Sequence, residues 1–175
     1  MSTSQIIWSV VGAALLFWIV GAYNRLVRLR GEIVRRFPPV EEQFTHRRTL
    51  LQQQIDALGP VLPGAAPRIE VLSAACEQVA AACAHARQRP GAVGAIRSLR
   101  LADEILSEAR RRLPVQSAAG LDLSELNSQL TASDAMLSFA RAQFNDAVAS
   151  YNAAVRQFPT VLLVRLFGFR RAGTL

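Results

Sequence analysis

An apolar stripe recurring every three or four residues runs through residues 122–158 with no turn signal inside it. Its members are Leu123, Leu126, Leu130, Leu137, Ala140, Phe144, Ala147, Tyr151, Ala154 and Phe158, and only Ser133 interrupts the series. A period near 3.5 keeps one face of a long helix turned toward its partners, so the stretch predicts the core helix of a bundle or coiled coil. Phe144-Asn145 is followed one heptad later by Tyr151-Asn152, and Phe158-Pro159 stands one heptad further on. Asp122 with Glu125 three residues on is a capping-box pattern for the start of this helix.

Upstream, three more helical stretches are separated by proline and glycine. Pro38-Pro39 predicts a break, because proline removes a helix hydrogen bond and restricts the residue before it. Val40-Glu41-Glu42 then reads as a fresh first turn, and Phe44, Leu50, Leu51, Ile55 and Leu58 form its apolar stripe. Gly59-Pro60 and Pro63-Gly64 end that helix, and Pro67 opens a second over residues 68–89. Pro90-Gly91 is a turn, and a third helix follows over residues 93–113. Short connections favour antiparallel neighbours. The expected fold is all-α: an N-terminal membrane helix, then an antiparallel up-down bundle of about four helices. The expected boundaries are a short tail over 1–5, an anchor over 6–23, the bundle over 24–158 and an apolar, basic tail over 159–175.

The anchor rests on residues 6–23, apolar apart from Ser9 and, at about 18 residues, just long enough to span a bilayer. A cleaved signal peptide is the alternative. No basic side chain precedes the run, however, and the run is longer than the usual signal core of about 7–15 residues. Trp8, Trp18 and Tyr23 lie toward its ends, where aromatic rings favour the interface. Arg25, Arg28, Arg30, Arg35 and Arg36 crowd the C-terminal flank only. The positive-inside rule therefore places the bundle in the cytoplasm and the short N-terminus outside. The net charge of +7 comes from arginine alone, since the chain has no lysine. Such a charge suits an anionic membrane surface or nucleic acid, and the visible anchor favours the membrane.

If the last helix returns toward the bilayer, Tyr151-Asn152 arrives near Tyr23-Asn24, and the Asn24 and Asn152 amides are expected to approach each other. Asn145 and Asn152 admit two readings: amides that fix the register of the bundle, or the lining of a polar groove between helices. The tail would reach the bilayer surface, with Leu163, Leu166, Phe167 and Phe169 among the headgroups. The rival reading packs this tail on the bundle.

Tyr23-Asn24-Arg25-Leu26-Val27-Arg28-Leu29-Arg30 after an apolar helix resembles the opening of the LemA family. Phe144-Asn145, then Tyr151-Asn152 through Phe158-Pro159, then Leu166-Phe167-Gly168-Phe169 is similar to that family's closing signature, and Asp134 with Arg141 to its acidic–arginine pair. Residues 43–58 occupy the place of its second block. The chain departs where the family has an aromatic–serine stretch and Ile-Asp, having Phe37-Pro38-Pro39 instead. Leu51-Gln52-Gln53-Gln54-Ile55 likewise replaces Ile-Pro-Asn-Leu. The resemblance implies a bacterial single-span inner-membrane protein with an antiparallel helical bundle, and it brings no catalytic activity.

The residues themselves carry no enzymatic pattern. His46 and His85 are far apart in sequence, Glu41 and Glu42 are adjacent and point to different sides of a helix, and no paired Cys-x-x-Cys or phosphate loop occurs. Cys76 and Cys83 are expected as small buried residues. Arg110-Arg111-Arg112 fits a helix C-terminus better than a nucleic-acid site. No cofactor and no metal are expected. The reading is a non-enzymatic scaffold whose partners are the bilayer and another protein, with a second copy of the chain admissible and nucleic acid disfavoured. The alternative is a membrane-proximal binder of an anionic ligand or nucleic acid, whose affinity would fall steeply with salt where an apolar protein interface would not.

Overall fold

The computed structural model describes residues 3–61, 63–113, 122–158 and 160–175. Among the described residues, five α-helices follow one another: α1 (Thr3–Leu58), α2 (Ala66–Gln88), α3 (Val93–Arg111), α4 (Ser124–Arg156) and the short α5 (Thr160–Phe167), with a 3-10 turn at Pro63–Ala65 before α2. Among the described residues there is no strand. Helix α1 packs most extensively on α4 and α2 on α3, while α1 joins the two pairs through α2. This is the antiparallel bundle that the spacing of the turns implies.

The break expected at Pro38-Pro39 is absent. Helix α1 runs 56 residues straight through both prolines, so no new helix begins at Val40. The cost of the two missing N–H groups is offset by packing, because Phe37 and Val40 on either side are fully buried. Phe37 meets the Phe144 ring edge-on at 6.0 Å between centroids. Tertiary contact overrides local propensity at this point.

The α4 stripe is the spine of the core. Leu130, Leu137, Ala140, Phe144, Tyr151 and Ala154 are buried, and Ser133 fills its place in the series as a buried residue. Leu126 and Ala147 are partly buried against the core, and Phe158 leaves the stripe at 77% exposure. Helix α4 stops at Arg156, and Gln157 turns extended (φ −69°, ψ 130°), which takes Phe158 off the stripe. It stands instead in a shallow cavity with Trp18, Gly21 and Ala22 of α1. The capping box does not form either. The Asp122 carboxylate accepts from the Ser124 N–H (3.0 Å) and hydroxyl (2.6 Å), bonds that hold its acid below the usual range, while Glu125 accepts from Gln129.

One helix among those described is long and apolar enough to cross a membrane: the N-terminal part of α1 contains an 18-residue window of mean hydropathy 1.7, almost none of it buried within the protein. That exposure separates it from a core helix. At Leu26 the same helix enters the core, and from there Ile33, Phe37, Val40, Phe44 and Leu51 lie inside.

Replacing Phe144 by Ala is expected to cost about 3–5 kcal/mol of stability, as for other buried aromatic truncations. Phe139→Ala, on the exposed side of the same helix, should stay within about 0.5 kcal/mol. Denaturant unfolding of the full chain in detergent reads both.

Candidate functional site

Two polar constellations stand out, one inside the bundle and one at its base, the end nearest the apolar segment. The inner one centres on Arg47, only 6% exposed. Its Nη1 donates to Asp103 Oδ1 at 2.7 Å, and Nη2 reaches the Ser107 hydroxyl at 3.4 Å. Its Nε lies 2.9 Å from Asp134 Oδ1 as an ion pair without the alignment of a hydrogen bond. Asp103 also holds Arg141 at 2.7 Å and Asp134 holds Arg110 at 2.7 Å, while the Arg141 guanidinium stacks 5.1 Å above the Phe44 ring. Asp134 and Arg141 therefore engage α1 and α3 rather than each other. Each arginine of the triplet at the end of α3 has an acidic partner within the chain, Arg110 in Asp134 and both Arg111 and Arg112 in Glu108, and the latter two hold the Glu108 acid below the usual range. Sequence reasoning missed Arg47 and Asp103. The available signal was a charge at a stripe position in each helix: Arg47 lies between Phe44 and Leu51, and Asp103 between Leu99 and Leu106.

At the base, the chain's last residues turn back up the bundle. Gly168 takes a positive φ of 68°, a conformation that glycine adopts without steric cost, and the Phe169 N–H closes onto the Val164 carbonyl. From there residues 169–175 leave α5 and run beside α4. The Asn152 side chain pairs both ways with one tail residue: its Nδ2 donates to the Ala172 carbonyl and its Oδ1 accepts from the Ala172 N–H, each at 2.9 Å. Asn145 does the same with Leu175, at 2.8 and 2.9 Å. Next to Asn152, the Tyr151 hydroxyl donates to the Arg170 carbonyl at 2.9 Å, two residues before Ala172. Burial raises the phenol of Tyr151, with the positive charge of Arg30 a smaller opposing effect.

The spacing explains itself. Seven residues of α-helix rise about 10.5 Å, and three residues of extended chain span about 10 Å. Amides one heptad apart thus meet backbone groups three residues apart. Asn24 is exposed, so the approach of Asn24 to Asn152 is not what forms, because the Ala172 backbone satisfies Asn152 instead.

The remaining residues divide. Tyr23 packs on Phe167 and Phe169 at 5.2 and 5.9 Å between ring centroids, and Phe169 lies against the core. Leu166 is 76% exposed and Phe167 half-exposed. Pro159 and the Leu163 side chain lie outside the described residues. Beside the tail opens a cleft of about 860 Å³ lined by Arg30, Arg89, Arg170, Arg171, Ala92 and the first turn of α3 at Val93 and Gly94. Among the described residues none of these four arginines has an ion-pair partner. No group of three or more His, Cys, Asp and Glu among the described residues is placed to hold a metal ion. Cys76 and Cys83 are free and buried; burial raises the Cys76 thiol and pushes Cys83 up to about 12.

A helical bundle carried on one long helix with an exposed apolar end, its last residues clasped against the final core helix, defines the class. The LemA family model matches residues 69–175, more than half of the chain, and the protein belongs to the LemA family. The match covers the closing motifs and leaves the opening Tyr23–Arg30 stretch outside it. No curated relative and no solved structure matches the chain.

Two outcomes follow from this geometry. Asp103→Ala leaves the buried Arg47 charge short of its best partner and should cost about 3–5 kcal/mol, whereas Arg47→Met combined with Asp103→Leu should cost far less than the sum of the single changes. Cys76 and Cys83 should resist a maleimide at mildly alkaline pH, where their raised thiols stay protonated, and should react promptly in guanidinium chloride.

Proposed function

We propose that the protein is a non-enzymatic, membrane-anchored interaction module that presents its helical bundle to a protein partner on the cytoplasmic side of a bacterial inner membrane. The observation that carries this reading is the continuity of α1, whose exposed apolar end passes into the buried core without a hinge. A segment so joined sets the bundle at a fixed height above the bilayer. The arginines at 25, 28, 30, 35 and 36 all follow the apolar window, and the positive-inside rule then puts the bundle in the cytoplasm. A protein contact is supported by Met136 and Phe139, each at least 60% exposed, beside a small groove with Pro39 and Ala140. Exposed apolar surface of this kind marks interaction sites more often than catalytic ones.

The four arginines around the basal cleft, without ion-pair partners among the described residues, favour a second reading, binding of an anionic ligand at the membrane face. They converge there with the uncapped start of α3, whose N–H groups add positive potential.

The first reading is tested in intact cells. With Cys76 and Cys83 replaced by Ala, Gly64→Cys in the exposed turn between α1 and α2 should escape a membrane-impermeant thiol reagent until the cells are lysed. A photo-crosslinker at position 139 should give a discrete adduct that one at exposed Gln129 does not. Labelling before lysis refutes the orientation, and identical crosslinking from both positions refutes the docking face.

A further inference from the structure

Among the described residues, every hydrogen bond that the Asn145, Tyr151 and Asn152 side chains make to the tail goes to a backbone N–H or carbonyl. A clasp of this kind accepts an extended peptide whatever its side chains, as in other strand-like recognition. Selection comes from the opposite wall. A Cβ on Gly173 would stand 3.0 Å from the Val93 Cα and 3.2 Å from the Ile96 Cβ, and backbone cannot yield to it. Ala172 is buried beside it, and the Gly173 N–H reaches the Gly91 carbonyl at 3.4 Å. The site therefore admits a small residue followed by glycine, in extended conformation, with a further residue clasped two positions on.

We propose that this groove is a peptide-recognition site that takes the C-terminal segment of a second copy of the chain in exchange for its own. The chain's own Ala172-Gly173-Thr174-Leu175 meets the steric requirement. Exchange between copies keeps every bond between tail and groove, while the bond from the Phe169 N–H to the Val164 carbonyl, which spans Gly168, has to open. The positive-φ Gly168 stands between α5 and the tail, a point at which the segment can swing to reach a neighbour. Copies anchored through α1 would hold groove and tail at the same height, and this point alone rests on the anchored reading, which the labelling assay above checks separately.

The test uses the full chain in detergent micelles and a fluorescent synthetic peptide of residues 169–175. In the wild-type chain the resident tail competes at high effective concentration. Gly173→Val excludes that tail through its clash with Val93 and should raise apparent peptide affinity about tenfold or more, since affinity scales with the fraction of open groove. Asn145→Ala with Asn152→Ala, added to Gly173→Val, should abolish binding, as should the same Val in the peptide. Differently tagged full chains extend the test to exchange: the Gly173→Val chain (open groove, excluded tail) should co-purify with the Asn145→Ala/Asn152→Ala chain (free tail, disabled groove), and neither with its own kind. Two results overturn the proposal: no peptide binding by a Gly173→Val chain that keeps its helical circular dichroism and cooperative melt, or no preference for the complementary pair. If Gly173→Val does not fold, two tagged wild-type chains decide. Their co-purification should be lost on adding excess peptide, and either no co-purification or indifference to the peptide overturns the inference.

Discussion

The Arg47 guanidinium must be neutralised where it lies, and its own helix offers no acid in reach. Its counter-charges come from Asp103 of α3 and Asp134 of α4, so α1, α3 and α4 meet at this one side chain. Arg141 and Arg110 take the remaining oxygens of the same two carboxylates. Helix pairs held by apolar stripes alone can slide or rotate by a turn at modest cost, whereas a misplaced buried charge costs several kcal/mol. The cluster therefore does for the upper bundle what packing alone does not: it fixes how the α1–α4 pair is docked on the α2–α3 pair. The groove at the base inherits that docking, because one of its walls is α4 and the other is the start of α3.

Helix α1 supplies the second constraint. Phe37 and Val40 keep both prolines inside a continuous helix, and the interlocking of Phe37 with Phe144 ties it to α4 at mid-height. Below, Arg25 donates to Gln157 at 3.0 Å and Tyr23 receives Phe167 and Phe169. The polar base and the exposed apolar window thus meet within about one helical turn.

Much of this was legible in the residues because it depends on periodicity. The α4 stripe, the turns at Pro63-Gly64 and Pro90-Gly91 and the apolar window at the start of α1 are local patterns, and the structure reproduces them. What was not legible depends on distant contact. Pro38-Pro39 breaks a helix by every local rule, and only the side chains packed around it keep α1 continuous there. Phe158 continues the stripe in sequence and leaves it in space, because Gln157 precedes a Phe-Pro pair and unwinds. Arg47 and Asp103 look like exposed charges until their positions on two apolar stripes are compared. The asparagines were visible as a heptad pair, but their partner was not, since hydrogen bonds to a backbone leave no mark in the sequence that supplies it.

The clasp also sets its own length. Helix and extended chain are rulers of unequal division, about 10.5 Å against about 10 Å per interval, and an ideal helix turns about 20° away from a straight line with each heptad. One interval absorbs that mismatch within the tolerance of a hydrogen bond. A third amide one heptad above Asn145 would sit some 1 Å out of step and about 40° off the line of the tail, and the residue there, Ser138, turns its hydroxyl back to the Asp134 carbonyl. Two rungs are as many as a straight helix can offer a straight strand, so what the groove reads is a word of about four residues, and a longer one would require the helix itself to coil.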